Sequence, residues 1–514
     1  MKSTTKPEKL FPLNKSLLLK ITSLITVFAL LICGFAGCDD TTVATEAGTH
    51  IDKNASIQTS TKTFSFGYSE DDSLNPYFMS TDLNTDLISL IFEPLYYVDD
   101  SFSADNCLAL SSSLSGNSLT VKLDTSAAFS DGVQFSSTDV VYSFNLAKNS
   151  SAYKNNLKYV QSATASASNT VIFTLSGYYK TAEEALSFPI VKNLSADTGT
   201  SDPIGTGLYS ISRDGGKTTL VYNPYCRKPQ PNISKIELTA LDTESTLVHT
   251  LELGTIDAYF DNLSSGNYSQ ANARTTKTNM SNLVFLGMNS ASYGLSSAAV
   301  RKAIYHSVNR QAVVNNAYKN FAVESYTPFH PQWHMFAQAD YDSSALALDY
   351  SKAQTLMRNA GFRDKLNYTL IVYSGNNFKT AAAKEIQANL EKIGINVVIS
   401  ELTWENYKAA LADGNYDLYI GEIKLPSNMD MSALFSSGKA IYGVSPADTT
   451  NTAYSEFAAG NISINALTDS FMQNMPFVPI CFRVGVLVYS KEITPAADCD
   501  YANVYKNIFE WSKP

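Results

Sequence analysis

Motifs that would mark an enzyme or a metal site are scarce in this sequence. Only five of the 514 residues are histidine, and neither an HExxH helix motif nor a GxSxG nucleophile turn occurs. His330 and His334 are four residues apart, but Pro331 prevents the regular helix that would direct both at one metal ion. No two cysteines have CxxC spacing, which disfavours a thiolate zinc site. The sequence therefore predicts a protein that is not an enzyme and has no metal and no cofactor.

Basic residues are outnumbered by acidic ones. The chain has 38 lysines and arginines against 48 aspartates and glutamates, a formal net charge of −10, and no basic run. Because binding to a phosphate backbone needs a basic face, this balance argues against a nucleic-acid partner. Hydrophobic residues make up 44% of the chain, which is ample for a core, and the length favours two or three domains.

The sequence has one long hydrophobic run, which lies near the N-terminus, and it has no second one. Five lysines up to Lys20 precede an apolar stretch at 21–35, and Ala36-Gly37-Cys38 follows. This order predicts a secretory signal peptide at 1–37. The end of the stretch resembles the lipobox of bacterial lipoproteins, which implies lipidation of Cys38 and an extracytoplasmic chain anchored to the cell membrane. An ordinary signal peptide or an uncleaved anchor remains the alternative. Residues 38–62 lack apolar periodicity and predict a flexible tether.

Four cysteines remain after Cys33 in the signal and Cys38. Four thiols in an exported protein allow two disulfides in three pairings, and buried free thiols are the alternative. Cys481 and Cys499 flank a predicted final hairpin and form the pair to test first. The remaining two are Cys107 and Cys226.

Hydrophobic periodicity predicts a mixed α/β chain. The region 60–250 is rich in strands, whereas 351–421 alternates helix, strand, helix, strand, helix, strand, the order of α/β folds. Gly361 and Gly394 stand just past helical patterns, where a left-handed residue ends a helix. Strands are predicted at 63–68, 118–123, 170–175 and 395–402, and helices at 82–92, 137–148, 298–318, 351–360 and 379–392.

Seven groups of segments, in order along residues 63–435, resemble the oligopeptide and dipeptide type of bacterial extracellular solute-binding proteins. The segments are SLNP at 73–76 with LIFEPL at 90–95, FSDG at 129–132 with FSSTDVVYS at 135–143, IGTGLY at 204–209, NPY at 223–225, LGTID at 253–257, MN at 288–289 with VRKAI at 300–304 and NR at 309–310, and LEKIGI at 390–395 with NYDL at 415–418.

The resemblance implies a two-lobe α/β fold of the periplasmic-binding-protein type, hinged between the lobes. Lobe I would comprise 63–282 and 476–514, with a strand-rich subdomain at about 110–200, and lobe II would comprise 283–475. A monomer would capture a peptide or similar solute in the cleft between the lobes and deliver it to the permease and ATPase of an ABC importer. A ligand sensor with the same fold is one alternative. A secreted hydrolase is another, because the catalytic carboxylates of glycosidases have no diagnostic spacing in sequence.

The sequence departs from the family at one position that bears on the ligand. Peptide-binding members commonly place an acidic residue shortly after the NYDL-like strand to pair with the α-ammonium group of the ligand, and here Pro426 takes that position. Either Glu422 or Asp430 substitutes, or the ligand is not a peptide with a free N-terminus. Family members also bind sugars, opines and metal chelates, and these ligands stay alternatives.

Six residues are predicted to contact the ligand. Trp333 lies in a loop broken by prolines, where an aromatic side chain can face a cleft. Trp404 has the alternative role of packing the core of lobe II. Glu183 and Glu184 are adjacent in sequence and are predicted to be solvated. The six predicted contact residues are Asn75, Tyr77, Trp333, Trp404, Glu422 and Asp430.

Overall fold

We describe the structure from a computed structural model of the chain. The described residues are 50, 62–177, 179–241, 246–339, 341–362, 365–435 and 448–514. The predicted signal peptide, Cys38 and the predicted tether lie outside them, apart from His50 and Lys62. Within these ranges no helix is both long and apolar enough to cross a lipid bilayer.

The described ranges contain seventeen strands. They are β1 (Phe64–Tyr68), β2 (Tyr96–Val98), β3 (Ala104–Asn106), β4 (Ala109–Ser115), β5 (Ser118–Leu123), β6 (Val160–Ala167), β7 (Thr170–Leu175), β8 (Tyr209–Asp214), β9 (Lys217–Tyr222), β10 (Lys235–Ala240), β11 (Ala258–Asp261), β12 (Arg274–Met288), β13 (Ala322–Glu324), β14 (Leu366–Tyr373), β15 (Ile395–Leu402), β16 (Leu418–Lys424) and β17 (Phe477–Tyr489).

The helices in the described ranges are mostly short. They are α1 (Asp82–Asp86), α2 (Ile88–Ile91), α3 (Ser137–Asn149), α4 (Leu247–Glu252), α5 (Ala298–Ser307), α6 (Arg310–Ala312), α7 (His334–Ala337), α8 (Tyr350–Asn359), α9 (Asn377–Glu391), α10 (Trp404–Asp413), α11 (Ser432–Phe435), α12 (Asp448–Ala458) and α13 (Ile464–Asn474), with a π turn at Val313–Ala317 and 3₁₀ turns at Glu184–Leu186, Ser343–Leu346 and Ile508–Glu510.

One large sheet runs through both halves of the chain. Its strand order is β15-β14-β16-β12-β17-β11-β1-β10-β9-β8, with β13 paired to β17. The long strands β12 and β17 pair antiparallel on both sides of a register shift, which lies between Asn279 and Leu283. Strands β4 to β7 form a separate four-stranded sheet in the order β4-β5-β7-β6, within the region predicted to be rich in strands.

Two hydrophobic clusters form the core. One is built on β12, β14, β16 and β17 with α5 and α9 packed on it, and includes Leu286, Ile304 and Ile386. The other gathers β1, β9 and the four-stranded sheet, and includes Phe66 and Phe173. The predicted α/β order over 351–421 is confirmed by α8, β14, α9, β15, α10 and β16.

Most predicted boundaries hold within two residues, and two differ. The helix predicted at 137–148 is among those that hold, and Ser136 and Asp139 form a capping box at its start. The helix at 82–92 divides at Leu87 into α1 and α2. The helix at 298–318 ends at Ser307, because Val308 adopts an extended backbone before α6 begins.

A candidate ligand-binding cleft

A cavity of about 910 Å³ receives side chains from segments that are far apart in sequence. This volume is typical of sites that enclose a small organic ligand. Phe92, Phe260 and Met280 give it an apolar surface, while amides, hydroxyls and a few charged groups supply polar contacts. The lining residues fall within 82–98, 151–158, 187–189, 260–280, 423–433 and 501–504.

Asp430 supplies a buried carboxylate to the cavity wall. Its side chain accepts hydrogen bonds from the Ser432 hydroxyl at 2.6 Å, the Ser432 amide at 3.1 Å and the Tyr454 hydroxyl. The Tyr159 hydroxyl lies 3.5 Å from Oδ1. Among the described residues, no cation lies within ion-pair distance of Asp430, and Lys158 binds Ser432 Oγ at 2.8 Å instead. The carboxylate is therefore held in place by hydroxyl groups and one backbone amide.

Glu422 is neutralised by partners within the protein. Its carboxylate lies 2.8 Å from Lys379 Nζ and 2.6 Å from Arg483 Nε, and it accepts a hydrogen bond from Asn282 Nδ2 at 2.9 Å. Burial opposes its ionisation, but the charges of Arg483 and Lys379 outweigh burial and lower the pKa of Glu422 to about 2. Glu422 is not among the residues that line the cavity.

Asn75 and Tyr77 fix a loop next to the cavity rather than lining it. Asn75 Nδ2 donates to the carbonyl oxygens of Ala196 at 3.1 Å and Thr198 at 2.9 Å. The Tyr77 hydroxyl donates to the carbonyl of Pro189, which does line the cavity. Tyr77 thus holds the backbone of a residue in the cavity wall, whereas Asn75 fixes a loop whose bonded residues lie outside that wall.

The two predicted tryptophans lie in different environments. Trp333 is buried beside a second cavity of about 20 Å³ that also touches Asp430, and its Nε1 has no hydrogen-bond partner among the described residues. Trp404 is 47% exposed and stacks on Tyr407 with ring centroids 5.9 Å apart, away from the cavity. Of the six predicted residues, the structure places only Asp430 on the main cavity, and ligand contact by each of them stays a prediction.

A seam of hydrogen bonds, formed between 156–187 and 427–432, closes one side of the cavity. Ser427 Oγ lies 2.9 Å from Asn156 Nδ2 and 2.9 Å from Ser187 Oγ, and it donates to the Glu184 carbonyl at 2.8 Å. Sequence reasoning missed these residues because the partners are at least 240 positions apart and no local motif marks them.

The four cysteines outside the N-terminal segment are free thiols. The alternative of two disulfides is therefore wrong for this structure, including the Cys481–Cys499 pair. Burial raises the pKa of Cys226 to about 11 and that of Cys499 to about 12, so both stay protonated at neutral pH. No group of three or more potential metal ligands occurs in the described part of the chain.

A cavity of this size, lined by segments that are far apart in sequence, is typical of a protein that encloses a small solute. The chain belongs to the bacterial extracellular solute-binding proteins, family 5, whose model matches residues 106–440. This match confirms the family predicted from the sequence and, with it, the two-lobe α/β fold. The lobe boundaries at 282/283 and 475/476 stay a prediction.

Curated relatives and solved structures agree with this assignment. The oligopeptide-binding protein AppA of Bacillus subtilis is 22% identical over 67% of this chain and 69% of its own length. The structure of that protein in complex with a nonapeptide matches 88% of this chain and 99% of its own chain, with a TM-score of 0.60 and 18% identity. NikA from Brucella suis in complex with Fe(III)-EDTA matches 88% of this chain and 100% of its own, with a TM-score of 0.65 and 17% identity.

Proposed function

We propose that this chain captures a peptide or peptide-like solute in the 910 Å³ cavity and delivers it to the permease and ATPase of an ABC importer. Family membership supports capture of a solute from outside the cytoplasm. The relative in Bacillus subtilis, which is described as an oligopeptide-binding protein, supports a peptide as that solute.

One observation carries the choice of a peptide over an uncharged ligand. Asp430 is a buried carboxylate on the cavity wall that is held by hydroxyl and amide donors, and no cation among the described residues lies within ion-pair distance of it. Removing an ammonium group from water costs several kcal/mol unless an anion receives it, and Asp430 supplies that anion. We therefore propose that Asp430 receives the α-ammonium group of the ligand, in the role that Pro426 cannot fill. Glu422 is a poor candidate because Lys379 and Arg483 already neutralise it.

Thermal unfolding with panels of compounds tests the class of ligand. We expect tetra-alanine and other short peptides to raise the melting temperature of the full-length chain, because a ligand that binds only the folded state stabilises it. At about a thousand times its dissociation constant a ligand adds roughly 4 kcal/mol, a shift of about 4 °C for a chain of this length.

The same panels decide between the alternatives. A shift only with oligosaccharides or only with metal chelates, such as the Fe(III)-EDTA bound to NikA, contradicts a peptide ligand and retains solute capture. Turnover of a glycoside or peptide added to the assay would identify a secreted hydrolase and contradict our inference that the chain is not an enzyme. Binding without transport in a reconstituted importer would favour the sensor.

We further infer that the chain works as a monomer on a lipid anchor at Cys38, in the periplasm or on the outer face of the cytoplasmic membrane. The apolar stretch at 21–35 followed by Ala36-Gly37-Cys38 supports the anchor. We expect Cys38→Ala to move the chain from the membrane fraction to the soluble fraction of expressing cells, whereas Cys107→Ala leaves it on the membrane. Equal membrane retention of both variants would contradict lipidation.

A further inference from the structure

Ser427 uses every hydrogen-bonding position of its hydroxyl group in the seam. The hydroxyl donates to the Glu184 carbonyl at 2.8 Å. Because a hydroxyl has one hydrogen to donate, Asn156 Nδ2 and the Ser187 hydroxyl, each 2.9 Å away, donate to Ser427 Oγ. Ser427 is 4% exposed. One buried side chain of the 427–432 segment thus binds three residues on the other side of the seam.

Glu184 is buried at the seam, although the sequence predicts that it and Glu183 are solvated. Glu184 is 7% exposed, so that prediction is wrong for this residue. It lies in the 3₁₀ turn Glu184–Leu186, which packs against β2. The carbonyl group that accepts from Ser427 therefore belongs to a packed turn rather than to an exposed loop.

The two ends of the segment that carries Ser427 are fixed by other bonds. The Leu425 amide donates to the Ser281 carbonyl at 3.0 Å, and the Ser281 hydroxyl donates to the Leu425 carbonyl at 2.7 Å. The Met431 amide donates to the Tyr454 hydroxyl at 2.7 Å. Because none of these bonds involves Ser427, we expect the fold to persist when the Ser427 hydroxyl is removed.

The seam continues from Ser427 to the carboxylate of Asp430. Lys158 Nζ donates to the Ser432 hydroxyl at 2.8 Å, and that hydroxyl donates to Asp430 Oδ2 at 2.6 Å. Asn428, the residue after Ser427, accepts a hydrogen bond from the Asp430 amide on Oδ1 at 3.2 Å. The bonds of the seam therefore hold the Asp430 carboxylate in one position on the cavity wall.

We propose that Ser427 is a positioning residue for solute capture: its hydroxyl ties the 427–432 segment, which carries Asp430, to the wall formed by 156–187. Every bond of the seam joins two protein atoms, so the seam can form with or without a bound solute. A wall that is ordered beforehand spares the solute part of the cost of ordering the cleft.

This inference rests on the proposed capture of a solute in the cavity, and it adds a residue that acts on capture through the seam. The Ser427 hydroxyl is fully bonded to protein, so it has no hydrogen bond left to give to the solute. Its effect should therefore be the same for solutes that differ in their charged groups.

Hydrogen exchange of the full-length chain without ligand tests the seam itself. We expect Ser427→Ala to lower the protection of peptides that cover 427–432 about tenfold or more, because three hydrogen bonds are lost and each contributes a factor of about 2 to 10. The protection of 156–160, on the other side of the seam, should fall with it. Ser162→Ala, at an exposed serine on β6, is the matched control and should exchange like the wild-type chain.

A loss of protection confined to the two sides of the seam supports the proposal. Unchanged protection in Ser427→Ala would overturn it. An equal loss in β12 and β17 would also overturn it, since Ser427 would then stabilise the whole fold rather than the seam. If Ser427→Ala does not fold, Asn156→Ala, which removes one donor from the other side, decides in the same way.

Titration calorimetry with tetra-alanine and N-acetyl-tetra-alanine tests the link to capture. Ser427→Ala should raise both dissociation constants by one common factor, the factor by which exchange shows the formed fraction of the seam to fall. A rise for one peptide alone would overturn the positioning role, and so would unchanged constants where the formed fraction falls. If neither peptide binds the wild-type chain, the proposed peptide ligand fails, whereas the exchange measurement still decides on the seam.

Discussion

At the scale of single residues, the surroundings of a carboxylate decide what it can do. Glu422 and Asp430 lie eight positions apart, and both are largely enclosed. Lys379 and Arg483 neutralise Glu422, whereas hydroxyl groups and the Ser432 amide hold Asp430. Glu422 is therefore occupied by partners within the protein, whereas the binding of a ligand cation by Asp430 stays a proposal.

Glu422→Gln should destabilise the fold, because it leaves the buried guanidinium of Arg483 without its anion. Breaking a buried ion pair by removing one partner costs about 3–5 kcal/mol. Chemical unfolding at pH 7 measures the loss, with Glu401→Gln, an exposed carboxylate on β15, as the control. An equal loss of stability in both variants would contradict the structural role of the ion-pair cluster that Glu422 forms with Lys379 and Arg483.

The same ion-pair cluster should make the stability of the fold depend on pH in the acidic range. The pKa of Glu422 is lowered in the folded chain, so its contribution is present above pH 4.5 and is lost as pH falls toward about 2. We expect the free energy of unfolding to decrease over this range by less in Glu422→Gln than in the wild-type chain.

At the scale of elements, glycine permits the close approach of β12 and β16. Gly287 lies opposite Tyr419, and a Cβ atom at this glycine would stand 1.7 Å from the Tyr419 ring. The ring is buried and cannot move away without repacking the core.

Gly287→Ala should therefore destabilise the fold by about 1–3 kcal/mol, the usual cost of overpacking a core. Gly177→Ala is the control, since a Cβ atom there meets no heavy atom within 4 Å. Unfolding by denaturant measures both variants, and equal stability of the two would contradict the close packing of β12 on β16.

Elements with strong local signals could be predicted from the sequence. Strands β5 and β7 coincide with the predicted ranges, because β-branched alternation between turns is a local property. The helix predicted at 298–318 fails at Val308 because tertiary contacts override propensity. Arg310 is buried there and donates to the carbonyls of Ser325 and Pro479, while its guanidinium stacks on Tyr305.

At the scale of the whole molecule, the cleft depends on contacts between distant segments. Ser427 meets Asn156 across 271 positions and the Glu184 carbonyl across 243, and no short motif records such pairings. The family could be predicted because its turns and helix ends leave local signatures, but the cavity wall could not. Asp430 could be predicted from the sequence only because Pro426 occupies the position at which the family commonly has an acidic residue, so that a nearby carboxylate was sought in its place.

The central claim is that Asp430 binds the α-ammonium group of a peptide. Titration calorimetry that combines two forms of the protein with two forms of one peptide tests this claim most directly. The wild-type chain and Asp430→Asn would each be titrated with tetra-alanine and with N-acetyl-tetra-alanine. We predict one site per chain, and we predict that either change alone raises the dissociation constant about tenfold or more, since a hydrogen bond to a charged group contributes about 1.5–3 kcal/mol. If Asp430 contacts the α-ammonium group, the two losses do not add, because each change removes the same interaction. Unchanged affinity in Asp430→Asn, or two losses that add fully, would contradict the proposed role of Asp430 as the anchor of a peptide in this cleft.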